Sequence, residues 1–241
     1  MSSNGGRVKP RFHPDEPLGE ALSYLRELGY EDLYLSPTGD AAAVSEVSEL
    51  PAASGREVRL AEVEAEALVC EQCELSGGRK TVVFGSGNRD AELMFIGEGP
   101  GAQEDLQGLP FVGPAGELLT KIIEAIGMRR EDVYIANIVK CRPPGNRDPK
   151  PEEISACRGY LEQQVHLVQP QVIVALGKVA AQTLLGNNLA LGKMRGEWYS
   201  FLETDLRVTY HPAALLRSAS WKRPTWEDMQ IVRDRLESGR N

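Results

Sequence analysis

Four short apolar runs alternate with helical segments along residues 57–241. The runs have the length of strands, and the segments between them have the length and spacing of helices. We predict strands at 91–97, 132–138, 171–177 and 205–210, and helices at 58–70, 116–127, 151–168, 178–186 and 225–238. Strands that alternate with helices form a parallel sheet covered on both faces, so the pattern predicts an α/β fold around a central, mainly parallel, four-stranded sheet.

Residues 1–56 differ in composition from the rest of the chain. Leu22, Leu25 and Leu28 recur at three-residue spacing, which is compatible with one short helix. Residues 36–56 are small and polar, as in a flexible linker. We therefore predict a flexible N-terminal extension over residues 1–56, with one short helix, and a folded domain over residues 57–241. A peptide that docks on a protein partner is the alternative role for the extension.

Composition excludes several classes of protein. Hydrophobic residues make up 41% and charged residues 26% of the chain, which is typical of a globular domain and not of a fibrous or disordered chain. No apolar run approaches the ~18 residues of a membrane helix. Residues 1–12 lack the apolar core of a secretory signal. We therefore expect a cytoplasmic protein with no membrane partner.

The net charge of -8 argues against a nucleic-acid partner, but the charge is unevenly distributed. Residues 137–150 carry four basic side chains against one acid, and residues 207–226 carry four basic side chains and no acid. A small basic footprint of this kind is compatible with a phosphate backbone, and it predicts modest, salt-sensitive affinity.

Four cysteines, Cys70, Cys73, Cys141 and Cys157, combine one C-x-x-C pair with a widely spaced pair. Without a secretion signal, disulfides are not expected. The C-x-x-C pair lies between a helix and a Gly-Arg loop, whereas a redox dithiol lies at a strand-to-helix turn. Four thiolates can hold zinc or an iron–sulfur cluster. The spacing leaves both open, with isolated buried cysteines as a third interpretation.

Residues suited to chemistry follow the predicted strands, whose carboxyl ends share one edge of a parallel sheet. The GEGPG run at 97–101 lets the backbone approach a ligand closely, although Pro100 removes an amide and makes dinucleotide binding a weak prediction. Phe111 is suited to stack on a planar ligand, Asn137 to read a base edge, and His211 to donate to a ligand carbonyl. Each of these three also has an ordinary structural interpretation, such as core filling or capping.

Together, these residues predict a pocket for a planar heterocycle, with a basic loop at residues 217–223 beside it. That combination fits an enzyme that extrudes a nucleobase from DNA. Two alternatives stay open on the residues alone. One is a nucleic-acid-binding module without catalysis, and the other is a zinc-stabilised hydrolase that acts on another nucleotide.

Three motifs and the order of the cysteines resemble one known family. GEGPGAQEDLQGLPFVGPAGELL, NIVKCRPPGNRDP and HPAALLR are similar to the motifs of the family 4 uracil-DNA glycosylases, the iron–sulfur type, over about residues 57–238. The resemblance implies a base excision repair enzyme that flips uracil out of DNA and hydrolyses its N-glycosidic bond, leaving an abasic site. It also implies a three-layer α/β/α fold and a 4Fe-4S cluster on Cys70, Cys73, Cys141 and Cys157. We further expect a monomer that binds uracil-containing DNA.

The resemblance implies a role for each residue of the strand-end motifs. Gly97, Glu98 and Gly99 line the uracil, and Phe111 stacks on the flipped base. Asn137 hydrogen-bonds the uracil edge and rejects cytosine, whose exocyclic amine replaces an acceptor with a donor. Gly99 also separates this chain from a related covalent uracil-binding branch, which carries GEQPG at this place.

The expected mechanism is hydrolysis through an oxocarbenium-like sugar, with uracil leaving as an anion. His211 faces O2 of the uracil and stabilises the developing charge. Gly99 stands where more familiar uracil glycosylases have aspartate, so the base that activates water is not obvious. Glu98 is the candidate base, and water positioned by Asn137 is the alternative.

Two segments are expected to contact the DNA. One follows the fourth strand, enters the minor groove and places a leucine in the vacated stack. The other is the basic loop that begins at the third cysteine, which a metal cluster there would hold in place. The candidate DNA-binding residues are Arg142, Arg147, Leu215, Leu216 and Arg217.

Overall fold

The computed structural model describes residues 55–239, which form eight α-helices and six strands. The strands are β1 (Ser86–Gly87), β2 (Leu93–Gly97), β3 (Tyr134–Asn137), β4 (Val172–Leu176), β5 (Trp198–Phe201) and β6 (Thr204–Thr209). The helices are α1 (Gly55–Leu68), α2 (Ala102–Gln107), α3 (Pro114–Ala125), α4 (Pro151–Val168), α5 (Lys178–Leu185), α6 (Leu191–Met194), α7 (Pro212–Arg217) and α8 (Lys222–Ser238). Each of the nine predicted elements is found, and its ends lie within three residues of the predicted ones.

The four predicted strands lie side by side and parallel in the centre of the sheet, which confirms the α/β class. The strand order is β1-β3-β2-β4-β6-β5, and β1 and β5 pair antiparallel at the two edges. The sheet therefore has six strands, and the predicted number of four is wrong. β1 has two residues and β5 buries only Phe201, so neither has the continuous apolar run by which a central parallel strand is recognised.

Side chains of the central strands alternate between two hydrophobic cores, one on each face of the sheet. On one face, Met94 and Ile96 of β2 belong to a core that includes residues of α1, α4 and α5. On the other face, Leu93 and Phe95 belong to a core that includes residues of α3 and α8. The two helical layers and the sheet between them form the expected α/β/α arrangement.

The order of strands and helices sets where a site can form. β2 and β4 are neighbours in the sheet, but α3, which lies between β2 and β3 in the chain, covers one face, and α5, which follows β4, covers the other. The chain therefore leaves these two strands in opposite directions at their carboxyl ends. Such a divergence opens a crevice at the edge of the sheet, where open α/β folds bind ligands.

Residues 1–54 lie outside the described residues, so the extension and the short helix predicted for residues 1–56 stay predictions. The first described helix begins at Gly55, close to the predicted domain start at residue 57. Among residues 55–239, no helix is both long enough and apolar enough to span a membrane.

Candidate active site

A cavity of about 730 Å³ lies at the carboxyl ends of the parallel strands. Each of the four strands contributes residues to its wall at or just beyond its carboxyl end, and the loop between α2 and α3 contributes one more. The predicted catalytic and substrate-binding residues that share this cavity are Glu98, Gly99, Phe111, Asn137 and His211. Two of the predicted DNA-binding residues, Arg147 and Arg217, line it as well.

Gly97 lies beneath two of these side chains, where a larger residue would not fit. A Cβ atom on Gly97 would lie 2.5 Å from Asn137 Oδ1 and 2.6 Å from Phe111 Cζ. The backbone of Phe111 has a φ of 53°, in the left-handed region that residues other than glycine seldom adopt. A Cβ atom on Gly116 would meet the Phe111 carbonyl oxygen at 1.8 Å. The two glycines therefore allow the Phe111 ring and the Asn137 amide to meet at the floor of the cavity.

Two charged side chains fix the loop that carries Phe111. Glu104 Oε1 accepts hydrogen bonds from the backbone N–H groups of the two residues that follow Phe111, at 2.9 and 3.1 Å. On the other side, Arg130 donates to the carbonyl oxygen of Pro110 at 2.7 Å. These bonds hold Phe111 in its uncommon backbone conformation, as is typical of strained residues at binding sites.

Asn137 ends β3 with a buried side chain and one unpaired polar atom. Its exposed fraction is 1%, and its Oδ1 has no hydrogen-bond partner among the described residues. Its backbone carbonyl is fixed, since Lys140 Nζ donates to it at 2.8 Å. Leaving a buried acceptor unpaired is unfavourable by about 1–3 kcal/mol. The arrangement therefore points to a donor that a ligand supplies.

His211 keeps one ring nitrogen available as a donor. Its Nδ1 accepts a hydrogen bond from the backbone N–H of Ala213 at 3.1 Å, so the proton of the neutral ring lies on Nε2. Burial, reinforced by the positive charge of Arg217, lowers the pKa of His211 to about 4. The ring is therefore neutral at pH 7. Its centroid lies 5.5 Å from that of the Phe111 ring.

Glu98 is half-buried in the cavity wall, and its carboxyl group resists ionisation. Burial, together with the negative charge of Asp148, raises the pKa of Glu98 to about 7, and the positive charge of Lys178 opposes that rise. A carboxylate whose pKa lies near the working pH is suited to accept a proton from water, because it is both partly ionised and sufficiently basic.

The three predicted DNA-binding arginines have different surroundings. Arg217 is exposed at the cavity and forms no ion pair within the described part of the chain. Arg142 donates to Asn146 Oδ1 at 2.8 Å, which leaves its charge uncompensated. Arg147 donates to both carboxylate oxygens of Glu153, at 2.8 and 2.6 Å. Arg142 and Arg217 are therefore better placed than Arg147 to pair with a phosphate.

The two predicted DNA-binding leucines of α7 differ in burial. Leu215 is 3% exposed, whereas Leu216 is 53% exposed. A leucine packed inside the protein would have to leave the interior before it could fill a gap in a duplex. The difference in burial therefore favours Leu216 over Leu215 as the leucine that fills a gap in a duplex.

The cavity residues that were not predicted as site residues include Asp148, Lys178, Tyr210 and Trp221. Tyr210 directly follows β6 and Lys178 lies two residues after β4, and this position near a strand end is the signal that would have found them. Trp221 stacks on Tyr210 with ring centroids 5.0 Å apart, but nothing in the local sequence brings these two residues together.

The four cysteines line one small hollow on the face of the sheet that α1 and α4 cover. The backbone N–H of Lys140 donates to Cys157 Sγ at 3.3 Å, and Arg79 Nη1 lies 3.5 Å from Cys141 Sγ. Among residues 55–239, no three His, Cys, Asp or Glu side chains are placed to chelate a single metal ion. Four sulfur atoms with N–H donors and a cation beside them match the chemistry of the donor set of an iron–sulfur cluster.

The sequence profile described as "Uracil DNA glycosylase superfamily" matches residues 84–230. The matched range contains every predicted site residue except Cys70 and Cys73. The six-stranded α/β/α fold and the cavity at the edge of its sheet are thus those of a member of this superfamily.

Three curated relatives show to which family of this superfamily the chain belongs. The type-4 uracil-DNA glycosylase of Saccharolobus solfataricus is 44% identical over 178 residues, which cover 70% of this chain and 82% of the relative. The type-4 uracil-DNA glycosylase of Thermotoga maritima is 48% identical over 153 residues, covering 63% of this chain and 80% of the relative. That of Archaeoglobus fulgidus is 45% identical over 159 residues, with the same two shares. The chain belongs to the type-4 uracil-DNA glycosylases.

Proposed function

We propose that this protein removes uracil from DNA by hydrolysing the N-glycosidic bond, and that it leaves an abasic site for base excision repair. Its family supports the proposal, since the relatives are named for this activity. The observation that carries it is the unpaired Oδ1 of Asn137, buried at a cavity that Phe111 and His211 share. A planar ring with a polar edge would supply the stacking partner, the donor and the acceptor that these three side chains lack.

Asn137 selects the base in this proposal. Uracil presents an N3–H donor beside the O4 acceptor, and a side-chain amide matches both groups. Asn137 Oδ1 accepts from N3–H, and the amide nitrogen donates to O4. Cytosine presents an acceptor and an amine donor in these places. The Asn137 oxygen would then face an acceptor and its NH₂ group a donor, so neither would form a hydrogen bond. Phe111 supplies the flat face for the ring, while Gly97 and Gly99 keep the backbone close to it.

His211 stabilises the leaving group. As the glycosidic bond breaks, its electron pair moves to the uracil, which becomes an anion, and the sugar becomes oxocarbenium-like. His211 donates its Nε2–H to O2 of the uracil and stabilises the negative charge without giving up the proton. The low pKa of about 4 keeps the ring neutral, and the bond from Ala213 to Nδ1 maintains the donor tautomer.

Glu98 activates the water in this proposal. Its carboxylate accepts a proton from the water molecule whose oxygen adds to the sugar carbon. The pKa of about 7 makes the group a strong enough base near neutral pH. If Glu98 does not act in this way, Asn137 is the alternative, through positioning of the water.

The hollow lined by cysteines would hold a 4Fe-4S cluster, since that cluster takes four thiolate ligands. When bound, the cluster supplies a structural link and takes no part in breaking the glycosidic bond. It would tie the start of the basic loop, which carries Arg142, to α4 and to the end of α1. The ligands in this proposal are Cys70, Cys73, Cys141 and Cys157.

DNA contact follows from the exposed side chains around the cavity. Arg142 and Arg217 pair with phosphates, Arg147 adds a contact if it exchanges Glu153 for a phosphate, and Leu216 fills the place that the flipped base leaves. Because the net charge is -8, affinity should be modest and should fall with salt. We further propose a cytoplasmic monomer whose residues 1–56 are available to a protein partner.

An oligonucleotide with a single uracil tests the proposal. Incubation followed by alkali should break the strand at uracil, and the same strand with cytosine at that place should stay intact. Equal binding of both strands without breakage would instead identify a nucleic-acid-binding module without catalysis. A brown protein with broad absorbance near roughly 400 nm is expected for the cluster, whereas a colourless zinc protein would contradict it.

A further inference from the structure

The cavity wall carries an exposed aromatic side chain that the excision chemistry does not use. Trp221 lines the cavity, and 38% of its surface is exposed. Its ring lies parallel to that of Tyr210, with an interplanar angle of 1° and centroids 5.0 Å apart. Because Tyr210 directly precedes His211, the aromatic stack stands beside the residue that faces the leaving base.

A fixed cation supports the stack. The guanidinium carbon of Arg195 lies 4.5 Å from the centroid of the Tyr210 ring. Arg195 itself donates to Asp228 Oδ2 and to the carbonyl oxygen of Pro224, at 2.8 Å each. Asp228 is 2% exposed, so the anchor of the stack is buried. The orientation of Tyr210, and through it the plane of Trp221, is therefore set before any ligand binds.

The segment of the chain that carries Trp221 is positively charged. Arg217 lines the same cavity, and Lys222 directly follows Trp221. Neither has an acidic partner within the described part of the chain, and residues 207–226 contain no acid. A preset aromatic plane among unpaired cations is the arrangement by which proteins bind a single nucleic-acid strand, since bases stack on the ring and phosphates pair with the cations.

We propose that Trp221 stacks on the nucleobase next to the flipped uracil, in DNA that is single-stranded at that point. This inference rests on the proposed function, because the uracil must occupy the cavity for its neighbour to reach the wall. In a duplex, that neighbour stays paired and stacked, so it reaches Trp221 only at the cost of unpairing. The platform therefore favours uracil in single strands over uracil in duplexes.

Binding of single strands that contain one 2′-fluoro-deoxyuridine tests the proposal, because the fluorine slows bond breakage and separates binding from excision. One probe has every base, and two others lack the base on the 5′ or the 3′ side of the uracil. Trp221→Ala should weaken binding of the complete probe by about 5-fold or more. On one of the two sides, removal of the base should leave the affinity of Trp221→Ala unchanged, whereas it should lower the affinity of the unmodified protein.

Trp226→Ala is the matched control, because Trp226 has the same exposed fraction of 38% but does not line the cavity. It should bind as the unmodified protein does and stay sensitive to base removal. Trp221→Phe retains a ring and should keep that sensitivity, which covers the case of an alanine variant that does not fold.

Additive losses from Trp221→Ala and base removal would overturn the stacking proposal, as would unchanged binding by Trp221→Ala. Failure of the unmodified protein to release uracil from an ordinary uracil strand would overturn the proposed function instead.

Discussion

Ionisation of Glu98 should set the acid side of the pH profile of uracil excision. A carboxylate that accepts a proton is active only in its ionised form. With a pKa of about 7, Glu98 should be about 10% ionised at pH 6 and about 90% at pH 8. The single-turnover rate should therefore rise with pH up to about 7 and fall about 10-fold for each pH unit below it. His211, with a pKa of about 4, stays neutral across this range and adds no step to the profile.

Substitutions separate the contribution of Glu98 from that of its neighbours. Glu98→Gln should lower the single-turnover rate at pH 8 by at least about 100-fold, and the residual rate should no longer follow the titration. Asp148 raises the pKa of Glu98 and Lys178 lowers it. Asp148→Asn should therefore shift the midpoint of the profile to lower pH, and Lys178→Gln should shift it to higher pH.

The assay is quenched single-turnover excision from a labelled strand at a series of pH values, with thermal melting of each variant as the folding control. A flat profile between about pH 5 and 8, or a near-normal rate in Glu98→Gln, would remove Glu98 as the base. Water positioned by Asn137 would then take its place. Shifts of both charge variants in one direction would refute the electrostatic explanation of the raised pKa.

Three further predictions concern the cavity floor, α7 and the cysteines. Gly97→Ala should displace Asn137 and destabilise the protein by about 1–3 kcal/mol. It should also lower kcat/KM by at least about 10-fold. An unchanged kcat/KM would contradict the close packing at the cavity floor. Leu215→Ala should lower the free energy of unfolding by about 2–5 kcal/mol, whereas Leu216→Ala should change it by less than about 0.5 kcal/mol. Leu216→Ala should weaken excision from duplexes more than excision from single strands. Urea unfolding that gives the opposite order would refute this assignment. Cys157→Ala should remove the visible absorbance and lower Tm, and any loss of excision should follow from the loss of folding. A colourless variant with unchanged Tm and unchanged excision would contradict a structural cluster.

The centre of the fold was predictable because buried parallel strands are continuous apolar runs. The same rule led to the candidate site, since residues that follow such strands meet at one edge of the sheet. Asn137 and His211 were found in this way, and the structure brings them to one cavity. The edge strands β1 and β5 were missed because strand pairing at an edge needs little burial and leaves little apolar pattern.

Other features of the site depend on contacts between distant parts of the chain. The left-handed backbone of Phe111 is held by Glu104 and Arg130, which no local pattern connects to it. The raised pKa of Glu98 arises from burial and from the charge of Asp148, and Lys178 at the start of α5 opposes it. The pairing of Tyr210 with Trp221 joins the residue after β6 to the residue before α8, which no local pattern connects. These properties depend on the three-dimensional arrangement, because each results from contacts with residues that are distant in the sequence.

Release of free base from matched strands that carry uracil or cytosine at one position tests the central claim most directly. The unmodified protein should release uracil and leave cytosine in place. Asn137→Ala, with an unchanged circular dichroism spectrum, should lower uracil release by at least about 100-fold, because the buried partner of the uracil edge is gone. Release of cytosine by the unmodified protein, or normal uracil release by Asn137→Ala, would contradict recognition of the uracil edge in this cavity.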